Sequence, residues 1–375
     1  MAKRLKNDTL THKDLINLYE NPALTADAVN LIYIKDTERG IERTVKGKQF
    51  TYFFNGKKVA DKLIIARINK LAIPPAWENV WICYQENGHL QATGFDARKR
   101  KQYRYHALWN YLRNETKFHH LVEFGKALPQ LRLQLEKDMS QSDITESKVV
   151  ATVVSLMERT YIRIGNETYE KENGSFGLTT LKDRHVKIDG DTIKFSFTGK
   201  KSVQHAITLK NKKLAKAVKD CRDIPGKELF QYYDKDNNRQ KVDSSMVNNY
   251  IKQATGGNFS AKDFRTWAGS LNILHSFAAM EEIIDEKEKK NVVLKALDDV
   301  SKALGNTRTV CRKYYVHPGI ISMYENDKLK NYLSQLNKLE VDDNVSGLTT
   351  SEKMLMKILQ SDDIKADLNL APQQL

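Results

Sequence analysis

The spacing of the apolar residues changes near residue 106, and this change constrains the fold more than any other feature. From 31 to 105 the apolar residues form short alternating runs, such as Leu31–Ile34 and, before the turn Asn55–Gly56, Phe50–Phe54. Alternation of period two and an Asn-Gly turn are typical of antiparallel strands. From His106 the apolar residues recur every three to four positions, which indicates helices, as over 146–162. The sequence therefore predicts a β-rich domain followed by a mainly helical one.

A second alternating segment interrupts the helical part. Residues 185–209 predict a three-stranded sheet with turns at Asp189–Gly190 and Gly199–Ser202. We therefore expect an α+β fold, with a small β-rich N-terminal domain and a larger, mainly helical domain that carries a small three-stranded sheet. The expected divisions are a lead-in at 1–30, a β-rich domain at 31–115, a helical domain at 116–325 and an acidic C-terminal appendage at 326–375.

The charge and composition restrict the partner and the compartment. A formal net charge of +14 favours a polyanion, because each phosphate contact releases counterions, although a basic protein with another role has the same charge. The sequence has no run of 18 apolar residues, so no membrane span is predicted. The first residues lack the apolar segment of a signal peptide. Three widely spaced cysteines argue against a disulfide framework or a zinc site. We expect a cytoplasmic protein.

The segment at the end of the β-rich part mixes cations with aromatic residues. It contains, in order, Arg98, Lys99, Arg100, Lys101, Gln102, Tyr103, Arg104 and Tyr105. In a strand, Gln102 and Arg104 would share one face and the two tyrosines the other. Cations hold phosphates, and Gln or Arg can read base edges. The alternative is a charged edge strand that prevents aggregation. With the net charge, the segment favours contact with nucleic acid.

A pair of tyrosines late in the chain follows two cations. Tyr314 and Tyr315 come directly after Arg312 and Lys313, and Pro318 is expected to stop the helix that carries them. A phenol is a poor nucleophile at pH 7 because its pKa is about 10. Neighbouring cations would make the phenol a better nucleophile and would attract a phosphate. The alternative is a basic helix end with a tyrosine packed on the core.

Further cations occupy positions from which they can enter a cleft. Arg163 is expected in the last turn of a helix that Gly165 ends, and Lys200 at the tip of a β-turn. Lys262 and Arg265 share a face in the first turns of a helix that Ser260 caps, with Asp263 in the capping-box position. Anions are favoured at such a helix start. Each cation alone can be a helix-end or solvated charge. Since no Asp, Glu, His and Cys cluster has metal-ligand spacing, the set suits phosphoryl transfer with cations in place of a metal.

With these residues in place, the sequence resembles the type IB DNA topoisomerases, in their small bacterial and poxvirus-like form. The resemblance covers roughly 30–325 and rests on six blocks in family order. The blocks are Leu71–Trp77, Gln102–His106, Arg163–Gly165 with Lys171–Leu181, Phe197–Lys200, Lys262–Arg265 and Asn306–Pro318.

The resemblance implies a role for each candidate residue. Tyr315 matches the nucleophile, which attacks a DNA phosphodiester and forms a 3′-phosphotyrosyl link. Arg163 and Arg265 would stabilise the transition state, and Lys200 would protonate the leaving 5′-oxygen. Asn306 stands where some members carry histidine.

Further implications concern the rest of the site and the partners. Lys262 would assist in the catalytic pocket. The residues 98–105 and Tyr169 would contact double-stranded DNA. No cofactor or metal would be needed. The enzyme would act as a monomer, since one chain carries every catalytic part, and would be associated with the nucleoid.

Two other functions stay open on sequence alone. A tyrosine recombinase shares the catalytic chemistry, but usually has a His-x-x-Arg block where this chain has Lys262-x-x-Arg265. The β-rich N-terminal part with its Pro-Pro-Ala-Trp block also favours the topoisomerase. An architectural DNA-binding protein would show salt-sensitive binding without a covalent adduct.

Overall fold

Two compact units make up the fold. The structure is a computed structural model that describes residues 12–46, 49–280, 285–336 and 346–364. Within these ranges, residues up to His120 form the first unit and residues from Leu121 form the second. The division lies inside a single long helix, Ala107–Met139.

The first unit is built on a six-stranded antiparallel sheet. Its helices are α1 (His12–Glu20), α2 (Pro22–Ala28), α3 (Lys62–Lys70) and the first turns of α4 (Ala107–Met139). Its strands are β1 (Ile41–Lys46), β2 (Gln49–Phe54), β3 (Lys57–Lys58), β4 (Glu78–Ile82), β5 (Leu90–Phe95) and β6 (Lys101–Tyr105), in the order β3-β2-β1-β4-β5-β6. Ile41, Ile82 and Ala92, which are fully buried, form the core with Ile68 of α3.

One predicted strand of this unit does not form. The apolar run Leu31–Ile34 contributes only an isolated bridge between Ile32 and Gly88. Its backbone is satisfied differently, because the Ile34 amide donates to the His89 side chain at 3.0 Å. A side-chain acceptor thus replaces the ladder that the alternation predicts.

The described part of the predicted lead-in, 12–30, is two packed helices. Asn21 ends α1 and caps α2, where its side chain accepts from the Ala23 amide at 3.1 Å and Pro22 takes the first helical position. Leu15 and Leu18 of α1 are buried against Leu112 of α4. Residues 1–11 of that prediction lie outside the described ranges.

The second unit is mainly helical. Its further helices are α5 (Glu146–Thr160), α6 (Glu167–Asn173), α7 (Lys212–Arg222), α8 (Ser244–Thr255), α9 (Ala261–Ala278), α10 (Glu286–Leu304), α11 (Arg308–Tyr314), α12 (Pro318–Glu325), α13 (Lys330–Leu336) and α14 (Thr350–Leu359). Its strands are β7 (Val186–Asp189), β8 (Thr192–Thr198), β9 (Gln204–Lys210), β10 (Gln231–Tyr233) and β11 (Arg239–Lys241). The strands β7, β8 and β9 form the predicted three-stranded sheet. α5 is buried almost throughout and packs against α7, α8 and α9.

The described residues of the predicted acidic appendage pack into the second unit. In α14, Leu355 and Ile358 are fully buried in the same core as α5 and α9. Glu352 is also buried, and its carboxylate accepts from Arg132 of α4 at 2.7 Å. Arg132 also pairs with Glu158 at 2.7 Å. This segment, although acidic in composition, therefore contains a helix, α14, that packs into the core and is joined to α4 by the buried pair of Glu352 and Arg132. Residues 337–345 and 365–375 lie outside the described ranges.

Glu352→Gln should destabilise the protein in a pH-dependent way. Burial would raise the pKa of Glu352, but the hydrogen bonds and charge of Arg132 outweigh it and lower the pKa. A lowered folded-state pKa adds stability above the unfolded value, near 4.5, and that stability is lost as pH falls through the folded value. We expect the variant to lose about 3 kcal/mol of unfolding free energy at pH 7, because a buried pair is broken.

Urea unfolding of both proteins at pH 7 and at pH 4 measures this difference, which should shrink at the lower pH. The matched control is Asp363→Asn, which breaks the exposed pair with Lys328 and should cost less than about 1 kcal/mol. A loss of equal size at the two pH values would contradict the assignment to this carboxylate.

Candidate active site

Arg163 lies in a loop just beyond α5. The sequence predicts it in the last turn of a helix ended by Gly165, and this prediction is wrong. α5 ends at Thr160, and Tyr161 takes the left-handed conformation at φ 56°. Gly165, at φ +104°, instead turns the loop that follows. The Arg163 carbonyl accepts from the Leu178 amide at 2.9 Å, which ties the loop to the next turn of chain.

Arg265 lies on α9 and is buried. The predicted capping box forms, with the Ser260 amide donating to the Asp263 carboxylate at 2.8 Å. One turn further along, the Arg265 guanidinium donates to the Tyr161 carbonyl at 2.5 Å and to the Leu304 carbonyl at 2.7 Å. These bonds fix the side chain between the end of α5 and the end of α10.

Asn306 lies between α10 and α11, directly after the left-handed Gly305 that ends α10. Arg163 donates from Nη2 to the Gly305 carbonyl at 2.9 Å and to Asn306 Oδ1 at 2.7 Å. Asn306 Nδ2 is buried, and the residues that the structure describes offer it no partner. Asn306 thus holds Arg163 with its oxygen and presents an unused donor.

Tyr315 ends α11, half-buried, with the Arg265 guanidinium 5.1 Å from its ring centroid. Ser270 of α9 fixes the backbone here, since its hydroxyl donates to the Tyr315 carbonyl at 3.4 Å and accepts from the His317 amide at 3.1 Å. Gly269 lies against the same carbonyl, where a Cβ atom would clash. Gly269 and Ser270, which fix the backbone of Tyr315, are not among the residues predicted from the sequence.

The other nucleophilic side chains near this point are less well placed. Tyr314 is 43% exposed, with Lys313 Nζ 5.4 Å from its ring centroid. Cys311 is fully buried, and burial raises the pKa of its thiol to about 11 although Arg265 and Arg163 oppose this. The thiol therefore stays protonated at neutral pH. Pro318, which the sequence analysis expects to stop the helix, takes the first position of α12.

The two guanidinium groups form a site of strong positive potential. Burial, and then the charge of Arg265, lowers the pKa of Arg163 to about 10. Both groups donate to neutral oxygens, and no carboxylate in the described ranges pairs with either group. Arg265 Nε is buried and has no partner among the described residues. Unpaired cationic donors of this kind favour an anion.

The two candidate lysines are exposed. Lys200 begins a 3₁₀ turn, Lys200–Ser202, in which Lys201 and Ser202 both have φ near +60°. Lys262 lies in the first turn of α9. Within the described ranges, no hydrogen bond joins either ammonium group to the cluster of Arg163, Arg265 and Asn306. The structure therefore assembles the arginines, the asparagine and Tyr315, and leaves the lysines at the surface.

The candidate DNA-binding cations lie in the first unit, before and along β6. Arg98 is exposed, and its amide donates to the Asp96 carboxylate at 3.0 Å. The next three cations form ion pairs: Lys99 with Glu78, Arg100 with Asp96 at 2.7 Å, and Lys101 with Asp36 at 2.5 Å. A phosphate bound here would have to compete with these carboxylates.

The polar and aromatic members of the set alternate along β6 as predicted. Gln102 donates to Asp96 at 3.0 Å and Arg104 to the Ala72 carbonyl at 3.0 Å. Tyr103 and Tyr105 are stacked, with ring centroids 5.9 Å apart, and are 47% and 39% exposed. Tyr169, on α6 of the second unit, is 41% exposed.

Three further features of the described ranges concern membrane helices, metal sites and cysteines. There, no helix is both long and apolar enough to cross a membrane. No group of three or more His, Cys, Asp and Glu side chains is arranged to hold a metal ion in the same ranges. The three cysteines, Cys83, Cys221 and Cys311, are buried and free.

The chain matches two family models of DNA topoisomerase I. The family model for the eukaryotic DNA topoisomerase I catalytic core matches residues 99–342, more than half of the chain. The model for the N-terminal domain of bacterial DNA topoisomerase IB matches residues 49–96. The chain belongs to the type IB DNA topoisomerases, and is an isomerase that binds DNA.

Relatives from viruses and plants agree with this assignment. The chain is 31% identical over 302 residues to DNA topoisomerase 1B of Acanthamoeba polyphaga mimivirus. The aligned residues cover 78% of this chain and 90% of the relative. It is 27% identical over 257 residues to DNA topoisomerase 1B of vaccinia virus (strain Copenhagen), covering 68% and 77% respectively. It is 25% identical over 266 residues to DNA topoisomerase 1 beta of Arabidopsis thaliana, covering 70% and 27%. Of the three functions that the sequence leaves open, these findings support the topoisomerase.

Proposed function

We propose that this topoisomerase relaxes positive and negative supercoils by cutting one DNA strand, letting it rotate and resealing it, without ATP or a metal ion. Tyr315 attacks the scissile phosphodiester and forms a 3′-phosphotyrosyl bond, while the bond to the 5′-oxygen breaks. The covalent bond stores the energy of the broken linkage, so that the 5′-hydroxyl can reverse the attack after rotation.

The observation that carries the proposal is the convergence of the buried Arg265 and the partly buried Arg163 on Tyr315. Arg265 lies 5.1 Å from the phenol ring, and Arg163 is close enough for the two charges to interact. A phosphate attacked by Tyr315 gains negative charge on its non-bridging oxygens. Fixed cations in a partly buried site stabilise such charge strongly, since they need not reorganise during the reaction.

Asn306 completes the phosphate site in this proposal. Its oxygen is occupied by Arg163, so its buried and unpartnered Nδ2 is the group that would donate to a non-bridging oxygen. Some members of the family carry histidine here, and the amide supplies a hydrogen bond without a charge. Asn306 therefore both orients Arg163 and contributes a donor.

Proton transfer to the leaving group is assigned to Lys200. Its exposed position on a turn leaves the ammonium group able to approach DNA that lies on the catalytic cluster. The ammonium proton passes to the 5′-oxygen as the phosphorus–oxygen bond breaks. Lys262, on the first turn of α9, would add positive charge near the same phosphate.

The DNA duplex would be held by the basic and aromatic residues of the first unit. We infer that Arg98, Lys99, Arg100, Lys101 and Arg104 contact phosphates, and that Gln102, Tyr103 and Tyr105 contact the groove. Tyr169 would add a contact from α6. The exposure of the tyrosines supports this role, and the net charge of +14 supports a polyanion partner. We further propose that the enzyme acts as a monomer on nucleoid DNA in the cytoplasm.

The test is relaxation of negatively and of positively supercoiled plasmid in excess EDTA and without ATP. We expect both substrates to be converted to relaxed topoisomers at similar rates, because strand rotation releases torsion of either sign. Gel electrophoresis with an intercalator resolves the products. Relaxation of one sign only, or a requirement for added Mg²⁺ or ATP, would contradict the proposed mechanism.

A further inference from the structure

The ring of His205 lies against two glycines that precede candidate catalytic residues. His205 is on β9, opposite Phe197 of β8, and the two rings are stacked with centroids 5.0 Å apart. A Cβ atom at Gly199 would lie 2.6 Å from Cδ2 and Nε2 of the imidazole. One at Gly305 would lie 2.6 Å from Cε1. The imidazole edge therefore occupies the space between these two glycines.

Each of these glycines controls the position of a functional side chain. Gly199 directly precedes Lys200, and its amide donates to the Val203 carbonyl at 2.7 Å, which closes the turn. Gly305 directly precedes Asn306, and its carbonyl holds Arg163 at 2.9 Å. The imidazole thus spans the distance between the turn that carries Lys200 and the loop that carries Asn306.

The chemistry of the ring suits a spacer. Burial, followed by the charges of Arg163 and Arg265, lowers the pKa of His205, so the ring is neutral at pH 7. A neutral ring packs against Phe197 without adding a charge that would compete for the phosphate. The turn beyond Gly199 needs such support, because Lys201 and Ser202 are both held in the left-handed region.

We propose that His205 is a positioning residue for strand cleavage: its ring sets the separation between the Lys200 turn and the Gly305–Asn306 loop, and so directs the lysine to the leaving oxygen. The inference rests on the proposed role of Lys200. In the cleavage step Tyr315 loses its phenolic proton to solvent and its oxygen bonds to phosphorus. The bond to the 5′-oxygen breaks, and the Lys200 proton goes to that oxygen. Loss of the ring should therefore impair proton donation more than phosphate binding.

The test compares two leaving groups at a mapped cleavage site of this enzyme. One duplex has the natural bridging 5′-oxygen, and the other has sulfur in its place. A thiol ionises near pH 8.5, whereas water ionises near 15.7, so a thiolate leaves without a proton donor. Single-turnover cleavage is measured for the wild type, Lys200→Ala and His205→Ala, with duplex affinity and thermal stability measured in parallel.

We expect Lys200→Ala to slow cleavage of the oxygen substrate about 100-fold or more, the usual scale of general acid catalysis. His205→Ala should slow it by roughly 10-fold to 30-fold, a fraction of that effect. With sulfur, both variants should fall within about threefold of the wild type. Equal slowing of His205→Ala on both substrates would overturn the inference. If Lys200→Ala is equally slow on both, the proposed role of Lys200 fails, and the inference fails with it.

A second pair of variants tests the contact itself. Gly199 has φ −96°, which alanine tolerates, so Gly199→Ala should act through its clash with the imidazole. We expect it to slow cleavage of the oxygen substrate about 10-fold, and the double variant with His205→Ala to be no slower than either single variant. Additive defects would contradict a shared contact.

The matched control is His185→Ala. Its imidazole also faces Phe197, at 6.5 Å between ring centroids, and packs on Phe176, but it touches neither glycine. Any slowing in this variant should be the same for the oxygen and the sulfur substrate. A sulfur-dependent recovery equal to that of His205→Ala would show a general effect of loosening the sheet and would overturn the proposal.

Discussion

Tyr315→Phe should abolish relaxation of both supercoil signs and should leave DNA binding intact. The change removes only the phenolic oxygen, so the ring keeps its place beside Arg265 and on the core. Loss of a covalent nucleophile slows an enzyme by about 10⁵-fold or more, since no neighbouring group can replace it. Relaxation of plasmid in EDTA measures the effect, together with duplex affinity by gel shift.

A covalent trap identifies the bond directly. A duplex labelled at the 5′ end of the cut strand should give a labelled protein adduct on a denaturing gel with the wild type, because the 3′ phosphate stays on Tyr315. Tyr315→Phe should give none. Tyr314→Phe is the matched control, and it should retain relaxation within about 10-fold, because that side chain is 43% exposed. An adduct that survives in Tyr315→Phe and disappears in Tyr314→Phe would transfer the role to Tyr314.

The sequence predicts the elements that carry the site better than it predicts the geometry of the site. The capping box of Ser260 and Asp263 and the alternation of β7 to β9 are local signals, and both features form as expected. The end of α5 is not a local matter. The chain leaves the helix at Tyr161, whose carbonyl receives the Arg265 guanidinium from a helix 104 residues away. Residue spacing near Gly165 gives no information about the contact with Arg265.

The residues that the sequence analysis missed depend on contacts between distant segments. Ser270 meets the Tyr315 backbone across 45 residues, and His205 meets Gly305. A serine in a helix and a histidine in a strand have no special local pattern, so nothing near them in sequence marks their role. The family resemblance predicts the residues proposed to contact the phosphate. The residues that fix the backbone of Tyr315, Gly269 and Ser270, can be identified only once the fold is known. The buried pair of Glu352 and Arg132 also joins distant segments, and the acidic composition around Glu352 gives no sign of it.

Arg265→Ala should slow cleavage about 10³-fold, because an arginine that stabilises a transferring phosphoryl group contributes on this scale. This corresponds to about 4 kcal/mol of transition-state stabilisation. The variant should also be less stable, since the Tyr161 and Leu304 carbonyls lose their donor, and each buried unpaired group costs about 1–3 kcal/mol. Single-turnover cleavage well below the melting temperature of the variant, with thermal unfolding measured alongside, separates the two effects.

A neutral substrate then distinguishes charge stabilisation from loss of structure. In a methylphosphonate duplex, one non-bridging oxygen is replaced by a methyl group, so the scissile group carries no negative charge for a guanidinium to balance. The defect of Arg265→Ala should fall to about 10-fold or less on this substrate if Arg265 acts on the negative charge that the phosphodiester carries. Arg222→Ala, which removes a half-buried arginine at the end of α7 outside the cluster, should behave like the wild type on both substrates. A defect of 10³-fold on both substrates would instead mean that Arg265 acts by holding the ends of α5 and α10 together. Arg163 would then be left to balance the phosphate charge, with a hydrogen bond from Asn306.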